Sequence, residues 1–276
     1  MQLGISSLGF IIENGLSNKF NNIFDLLFSS TESCLYYAEQ NNIKLIELVI
    51  DPSDILRDEN KYRFVELINS FSLLKQVHGP FIDVNLCSHN SFITEASIRS
   101  YIDTALFCGE IHANMMTIHP GLSNYLIETI REYNKQQLKR AVNKLLEFTS
   151  SMELTVCLEN MPKNTNIMLD ENNIEEIFKI IDNKKLFLTY DTSHFYTNRG
   201  NVKLLWEIFH HKIKNVHLVE NFTRVSDTHP PLGTGKINFK KIFEIIRGFN
   251  YTGPLIIELS SAKDLGKSLD FINKFL

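Results

Sequence analysis

Eight short apolar runs rich in β-branched residues punctuate the chain: QLGISSL at 2–8, KLIELVI at 44–50, LLKQVHG at 73–79, NMMTIHPG at 114–121, LTVCLEN at 154–160, LFLTYD at 186–191, IKNVHLVE at 213–220 and PLIIELS at 254–260. Each has the length of a buried strand. Near-continuous rather than alternating hydrophobicity predicts a parallel sheet covered on both faces. Between the runs the apolar spacing changes to i, i+3, i+4, which predicts helices over 31–42, 60–71, 94–113, 134–152, 174–182, 202–210, 239–249 and 263–275. Thr31 stands where the first of these needs a cap.

Parallel neighbours need crossover connections, usually helical, so eight strand–helix units in one chain predict a (β/α)8 TIM barrel. The structural rival is an open doubly wound sheet, but no G-x-G-x-x-G follows the first strand run. No linker, low-complexity tract or charge block divides the chain, so residues 1–276 are expected to form a single TIM-barrel domain. The loop at 222–238, with DTHPPLGTG at 227–235, is long enough to suggest function.

Composition narrows the picture. A chain of 276 residues with 43% hydrophobic and 22% charged residues is globular, and a net charge of −4 provides no general basic field for nucleic acid or acidic membranes. A local basic patch stays open. The four cysteines form no C-x-x-C pair, so reduced thiols are expected, with Cys108 and Cys157 in core packing. No apolar run approaches the roughly 20 residues of a spanning helix, and the N-terminus lacks the pattern of a signal peptide. The expectation is a cytoplasmic protein without membrane attachment.

The candidate chemistry lies where the strand runs stop. His78, His119, Glu159, Asp191, His217 and Glu258 end six of them, His194 follows Asp191 by three residues, and the long loop adds Asp227 and His229. In a closed barrel these ends converge on one face, the face that carries active sites in this fold. Imidazoles mixed with carboxylates suit zinc, manganese or a similar divalent ion. Local readings exist beside this one: Asp191 has the spacing of a helix cap to His194, and Asp227 could close an Asx-turn before the prolines. His89, His112, His210 and His211 fall outside the pattern.

The ordered set VHGP, IHPG, LENMP, YDTSH, VHLVEN, DTHPPLGTG and IIEL resembles the endonuclease IV family of xylose isomerase-like TIM barrels, from about residue 73 to 260. The resemblance implies a trinuclear metal site, with zinc the first expectation and manganese or magnesium the alternatives. One ion would lie with His78, His119 and Glu159. A second would share Glu159 with Asp191, His217 and Glu258, and a third would lie with His194, Asp227 and His229. Two departures concern DNA. The family follows its first histidine with Asp-x-Tyr where this chain has Gly79-Pro80-Phe81, and Arg57 does not align with the family's DNA-inserting arginine.

Two functions follow. The first is a phosphodiesterase acting on abasic-site duplex DNA, with Phe81 at the base gap and Arg199, Arg224 and Lys236, together with Lys163, as phosphate contacts. The alternative is a sugar or sugar-phosphate isomerase or epimerase, in which one ion sits among Glu159, Asp191, His217 and Glu258, and Glu159 and Glu258 form the acid–base pair. Asp227 and His229 discriminate, because an isomerase has no evident use for a third set of ligands.

Overall fold

A computed structural model describes residues 1–276, apart from the side chain of Asp58. The eight apolar runs form β1 (Gln2–Ser6), β2 (Leu45–Val49), β3 (Leu74–His78), β4 (Met115–Ile118), β5 (Thr155–Glu159), β6 (Leu186–Asp191), β7 (Ile213–Leu218) and β8 (Pro254–Ile257). They pair in parallel and in chain order, and β8 closes on β1 with Ile257 beside Ile5. The architecture is the (β/α)8 barrel expected from the sequence.

The helices are α1 (Leu8–Leu16), α2 (Ile23–Gln40), α3 (Asp58–Asn69), α4 (Ser91–Glu110), α5 (Glu128–Phe148), α6 (Glu171–Ile181), α7 (Thr192–Thr197), α8 (Val202–Phe209), α9 (Phe239–Gly248) and α10 (Leu265–Ile272). Helix α2 corrects one expectation. Its cap is Asn22, whose side chain accepts the Asp25 N–H at 2.8 Å, while Thr31 is buried in mid-helix. The apolar period extends back through Leu27 and Ile23, and a threonine methyl is acceptable on the core side of a helix. Helices α1 and α7 were not expected. Helix α1 is nine residues with two glycines, and α7 is six residues, too short for a period to register.

Alternate strand residues divide the interior in two. Leu48, Val77, Ile118, Leu158, Tyr190 and Val216 face outward into the apolar core under the helices. The inward positions carry a polar layer. Gln76 Nε2 donates to Glu47 Oε2 at 2.7 Å, and Asn215 Nδ2 donates to the same oxygen at 3.1 Å and to Thr117 Oγ1 at 3.2 Å. The Thr117 and Thr189 hydroxyls meet at 2.9 Å. Barrel interiors of this kind are usually filled by branched apolar side chains; here a buried polar floor lies beneath the carboxyl ends of the strands. All four cysteines are buried and free. Among the described residues no helix is long and apolar enough to cross a membrane.

Candidate metal centre

His78, Glu159 and Asp191 are the last residues of β3, β5 and β6, while His119 and Glu258 directly follow β4 and β8. The β6–β7 register sets Asp191 beside His217. These residues converge on a cavity of about 810 Å³ at the carboxyl end of the barrel, lined by His78, His119, Glu159, His194, Asp227 and Glu258 among others. Asp191 and His217 are completely buried.

Glu159 stands at the centre. Its Oε2 lies 2.9 Å from His119 Nε2 and 3.3 Å from His78 Nε2, and its Oε1 lies 3.0 Å from His217 Nδ1. His217 Nδ1 is also 4.0 Å from Asp191 Oδ2 and 3.9 Å from Glu258 Oε2. Beside this group, Asp227 Oδ2 is 3.0 Å from His194 Nε2 and 2.7 Å from His229 Nε2. His229 Nδ1 reaches within 3.3 Å of Glu258 Oε1 and joins the two halves. All nine residues picked out in the sequence therefore gather in one place.

Three imidazoles place one ring nitrogen on partners outside the cluster, His217 Nε2 meeting both Glu47 and, at 3.0 Å, Asn215 Nδ2. His78 Nδ1 donates to the Gly79 carbonyl at 2.8 Å, and His194 Nδ1 to the Asn160 carbonyl at 2.9 Å. His217 Nε2 faces Glu47 Oε2 at 3.2 Å. Each ring thus uses one nitrogen on an outer partner and turns the other into the cluster, the arrangement that orients histidines on metal ions. Glu47 was missed in the sequence, although a single carboxylate inside the buried run KLIELVI was a usable signal: a buried charge requires partners.

The donor set fits cations. Asp191 Oδ1 accepts the His194 N–H at 2.6 Å, so the helix-cap reading of this pair also holds, yet its Oδ2 has no hydrogen-bond partner. Glu258 Oε2 and His229 Nδ1 are likewise buried without one. Four carboxylates and five imidazoles with unspent lone pairs cannot be packed together cheaply unless protons or cations balance them. Without cations, protons do so. Burial lowers the affinity of His78 for a proton, but the Glu159 carboxylate overrides this and pushes its pKa up to about 9. His229 is likewise disfavoured by burial but raised to about 9 by Asp227. Burial, reinforced by the Glu159 and Asp227 charges against partial relief from His194, raises Asp191 to about 7. His119 is lowered to about 4, chiefly by burial.

The loop after β7 delivers Asp227 and His229 through a second buried carboxylate. Glu220 accepts the N–H groups of Asn221 at 2.9 Å, Gly233 at 3.0 Å and Ile237 at 3.0 Å, which ties both ends of the loop to the barrel. Asn221 Nδ2 donates to the Ser226 carbonyl at 2.7 Å, and the Ser193 hydroxyl donates to Asp227 Oδ1. His229 has a φ of 46°, the left-handed region that non-glycine residues seldom adopt. Its carbonyl is held by Ser260, through the backbone N–H at 2.9 Å and the hydroxyl at 3.0 Å.

Phe81 lines the cavity with its ring centroid 5.3 Å from that of His78 and 5.6 Å from that of His119. Asp51 fixes its loop by accepting the N–H groups of Phe81 at 3.0 Å and Ile82 at 2.7 Å. Gly79 is required behind it, since a Cβ there would meet the Tyr101 ring at 2.8 Å. Arg199, Arg224 and Lys236 are not brought to this cavity; they line a separate one. Lys163 is exposed and lines neither cavity. Among the described residues, no Lys or Arg lines the cavity at the metal-type cluster.

A family model described as xylose isomerase-like TIM barrel matches residues 35–275. An uncharacterized protein of Methanocaldococcus jannaschii is 26% identical over 100% of this chain and 89% of its own length. A probable endonuclease 4 of Aquifex aeolicus is 27% identical over 64% of each chain. In fold, the crystal structure of a D-tagatose 3-epimerase-like protein superposes with a TM-score of 0.81, covering 100% of this chain and 97% of its own at 24% identity.

Proposed function

Because this chain belongs to the xylose isomerase-like TIM barrel family, we propose that the nine-residue cluster is a centre for up to three divalent ions, zinc first among them, and that the enzyme hydrolyses a phosphodiester. The observation that carries this reading is the approach of Asp227 and His229 to His194, with both imidazoles on one carboxylate oxygen. A single-ion isomerase would use Glu159, Asp191, His217 and Glu258 and leave this trio without work. Bound ions would supply Lewis acidity and a water of lowered pKa. The chain's own part is to hold them. Glu159 presents separate oxygens to His119 and His217, as a bridging carboxylate must, and Glu47, Gly79 and Asn160 lock the imidazoles. Abasic-site duplex DNA is the proposed substrate. The apolar mouth, with Phe81, Ile82, Ile93 and Leu122, suits a gap that lacks a base.

The lining without Lys or Arg favours a second reading, the epimerisation or isomerisation of a small sugar, and the fold likeness to an epimerase-like protein supports it. Glu159 and Glu258 would then be the acid–base pair beside one ion. Metal analysis of the purified protein decides between them when paired with a nicking assay on abasic-site duplex and an epimerisation assay on ketohexoses. Three ions per chain, with nicking lowered at least about 100-fold by Asp227→Ala, is the expected result. One ion, no nicking and epimerase turnover would establish the second reading instead.

A further inference from the structure

Tyr190 has no place in the chemistry above. Its neighbours Thr189 and Asp191 point into the barrel, so strand alternation sends Tyr190 outward, where its ring packs edge-on against Phe195 and Trp206. There it lines a second cavity of about 720 Å³, walled by β6, by helices α7 and α9, by the start of α8 and by the loops before α8 and α9. The volume is that of a small-molecule site. The Tyr190 hydroxyl is completely buried and has no hydrogen-bond partner. Buried hydroxyls are rarely left so.

The remaining lining is charged with one sign. Arg199, Arg224, Lys236 and Lys241 all line the cavity, and among the described residues no Asp or Glu does. Among the described residues none of the four is in an ion pair. Arg224 is oriented by stacking 4.2 Å from the Tyr196 ring centroid and by donating to the Tyr196 carbonyl at 3.1 Å. Asn201 and Asn238, the caps of α8 and α9, also line it, so the positive ends of both helices border the same space. Ile242, Ile245 and Val202 supply apolar wall.

From this juxtaposition we infer that the cavity is a binding site, distinct from the metal-type cluster, for a small organic phosphate. Its phosphate lies among the four cations and its ring-sized body reaches the Tyr190 hydroxyl with an acceptor atom. Glu171 accepts the Asn201 N–H at 2.9 Å behind the start of α8 but does not line the cavity, and four lining cations match a dianionic head better than a single carboxylate. A concave site with a buried hydroxyl at its wall suits a compact ligand better than a nucleic-acid strand, which needs an open track.

The protein contains one tryptophan, Trp206, whose ring centroid lies 6.2 Å from that of Tyr190 and reports on this cavity. Titration of the metal-loaded full chain with adenosine 5′-monophosphate and with inorganic phosphate, read by tryptophan fluorescence and calorimetry, tests the inference. The expected result is saturable, salt-sensitive binding of both. The double variant Arg199→Ala/Lys241→Ala should weaken both at least about tenfold. Tyr190→Phe should weaken only the nucleotide, and Asp227→Ala should leave the binding reported by Trp206 fluorescence unchanged, since that signal arises beside Tyr190 and not at the cluster. No saturation by either probe, or undiminished binding in the double variant, would overturn the inference. So would binding lost in Asp227→Ala, which places the phosphate on the metal centre, or tight binding of a duplex oligonucleotide with none of the mononucleotide. The outcome is independent of whether the cluster nicks DNA.

Discussion

At the scale of single residues, the decisive feature is how each imidazole divides its two nitrogens. His217 uses Nε2 on Glu47 and leaves Nδ1 at 3.0 Å from Glu159. Glu47 is in turn held by Gln76 and Asn215, so the whole ring orientation is inherited from the floor of the barrel. Glu47→Gln preserves shape but removes the charge that favours the Nε2 proton. The affinity for zinc, measured by competition with a chelating dye, should fall about 10- to 100-fold, the usual effect of an outer partner of a metal ligand. An unchanged affinity would mean that His217 is oriented by packing alone. Glu47 escapes a search of strand ends because it lies inside the apolar run KLIELVI. His78, His119 and Glu159 were recognised because they interrupt apolar runs at their ends.

At the scale of elements, the loop between β7 and α9 is shaped by Glu220 more than by its prolines. Three backbone N–H groups, from Asn221, Gly233 and Ile237, converge on this one buried carboxylate. Glu220→Ala leaves all three unpaired and should cost about 3 kcal/mol in urea denaturation. It should also remove one ion from the metal count, because Asp227 and His229 lose their anchor; full stability with full metal content would show that the prolines suffice. Helix α7 carries a related lesson. Asp191 both starts it, by accepting the His194 N–H, and faces the cluster with its other oxygen. The spacing Asp-x-x-His was legible, but a six-residue helix has no period to announce it.

At the scale of the whole molecule, the cluster couples protons to stability, and the proposed metal centre would bring cations into the same balance. In metal-free protein the pKa values of His78 and His229 rise from 6.5 to about 9, because Glu159 and Asp227 hold the protonated rings despite burial. Groups whose folded pKa is raised stabilise fully below the unfolded value and lose that contribution as pH climbs through the folded one. Asp191, raised from 3.8 to about 7 mainly by burial, acts in the same sense but at lower pH: its contribution is lost between pH 3.8 and about 7, so the loss above pH 7 belongs to the two histidines. Chelated protein should therefore lose roughly 5 °C or more of Tm between pH 6.5 and 9. Protein saturated with zinc should lose much less, since cations then take the place of the protons. Equal losses with and without zinc would show that this cluster does not govern stability.

The sequence by itself determined the barrel and the position of the cluster. Strand and helix periods are local, and the points where apolar runs give way to His, Asp or Glu are local too; closing eight parallel strands then forces those points together. Tertiary structure alone decided which way the remaining side chains face. Arg199, Arg224 and Lys236 stand on the same side of the molecule as the cluster, yet they open onto the space between β6, α8 and α9, away from the barrel axis. Glu47 and Glu220 are the partners that orient His217 and the 227–235 loop, roles assigned only by their neighbours in space. The physical reason is that a side chain's direction in a loop depends on hydrogen bonds and packing with residues distant in the chain, and periodicity carries no record of those.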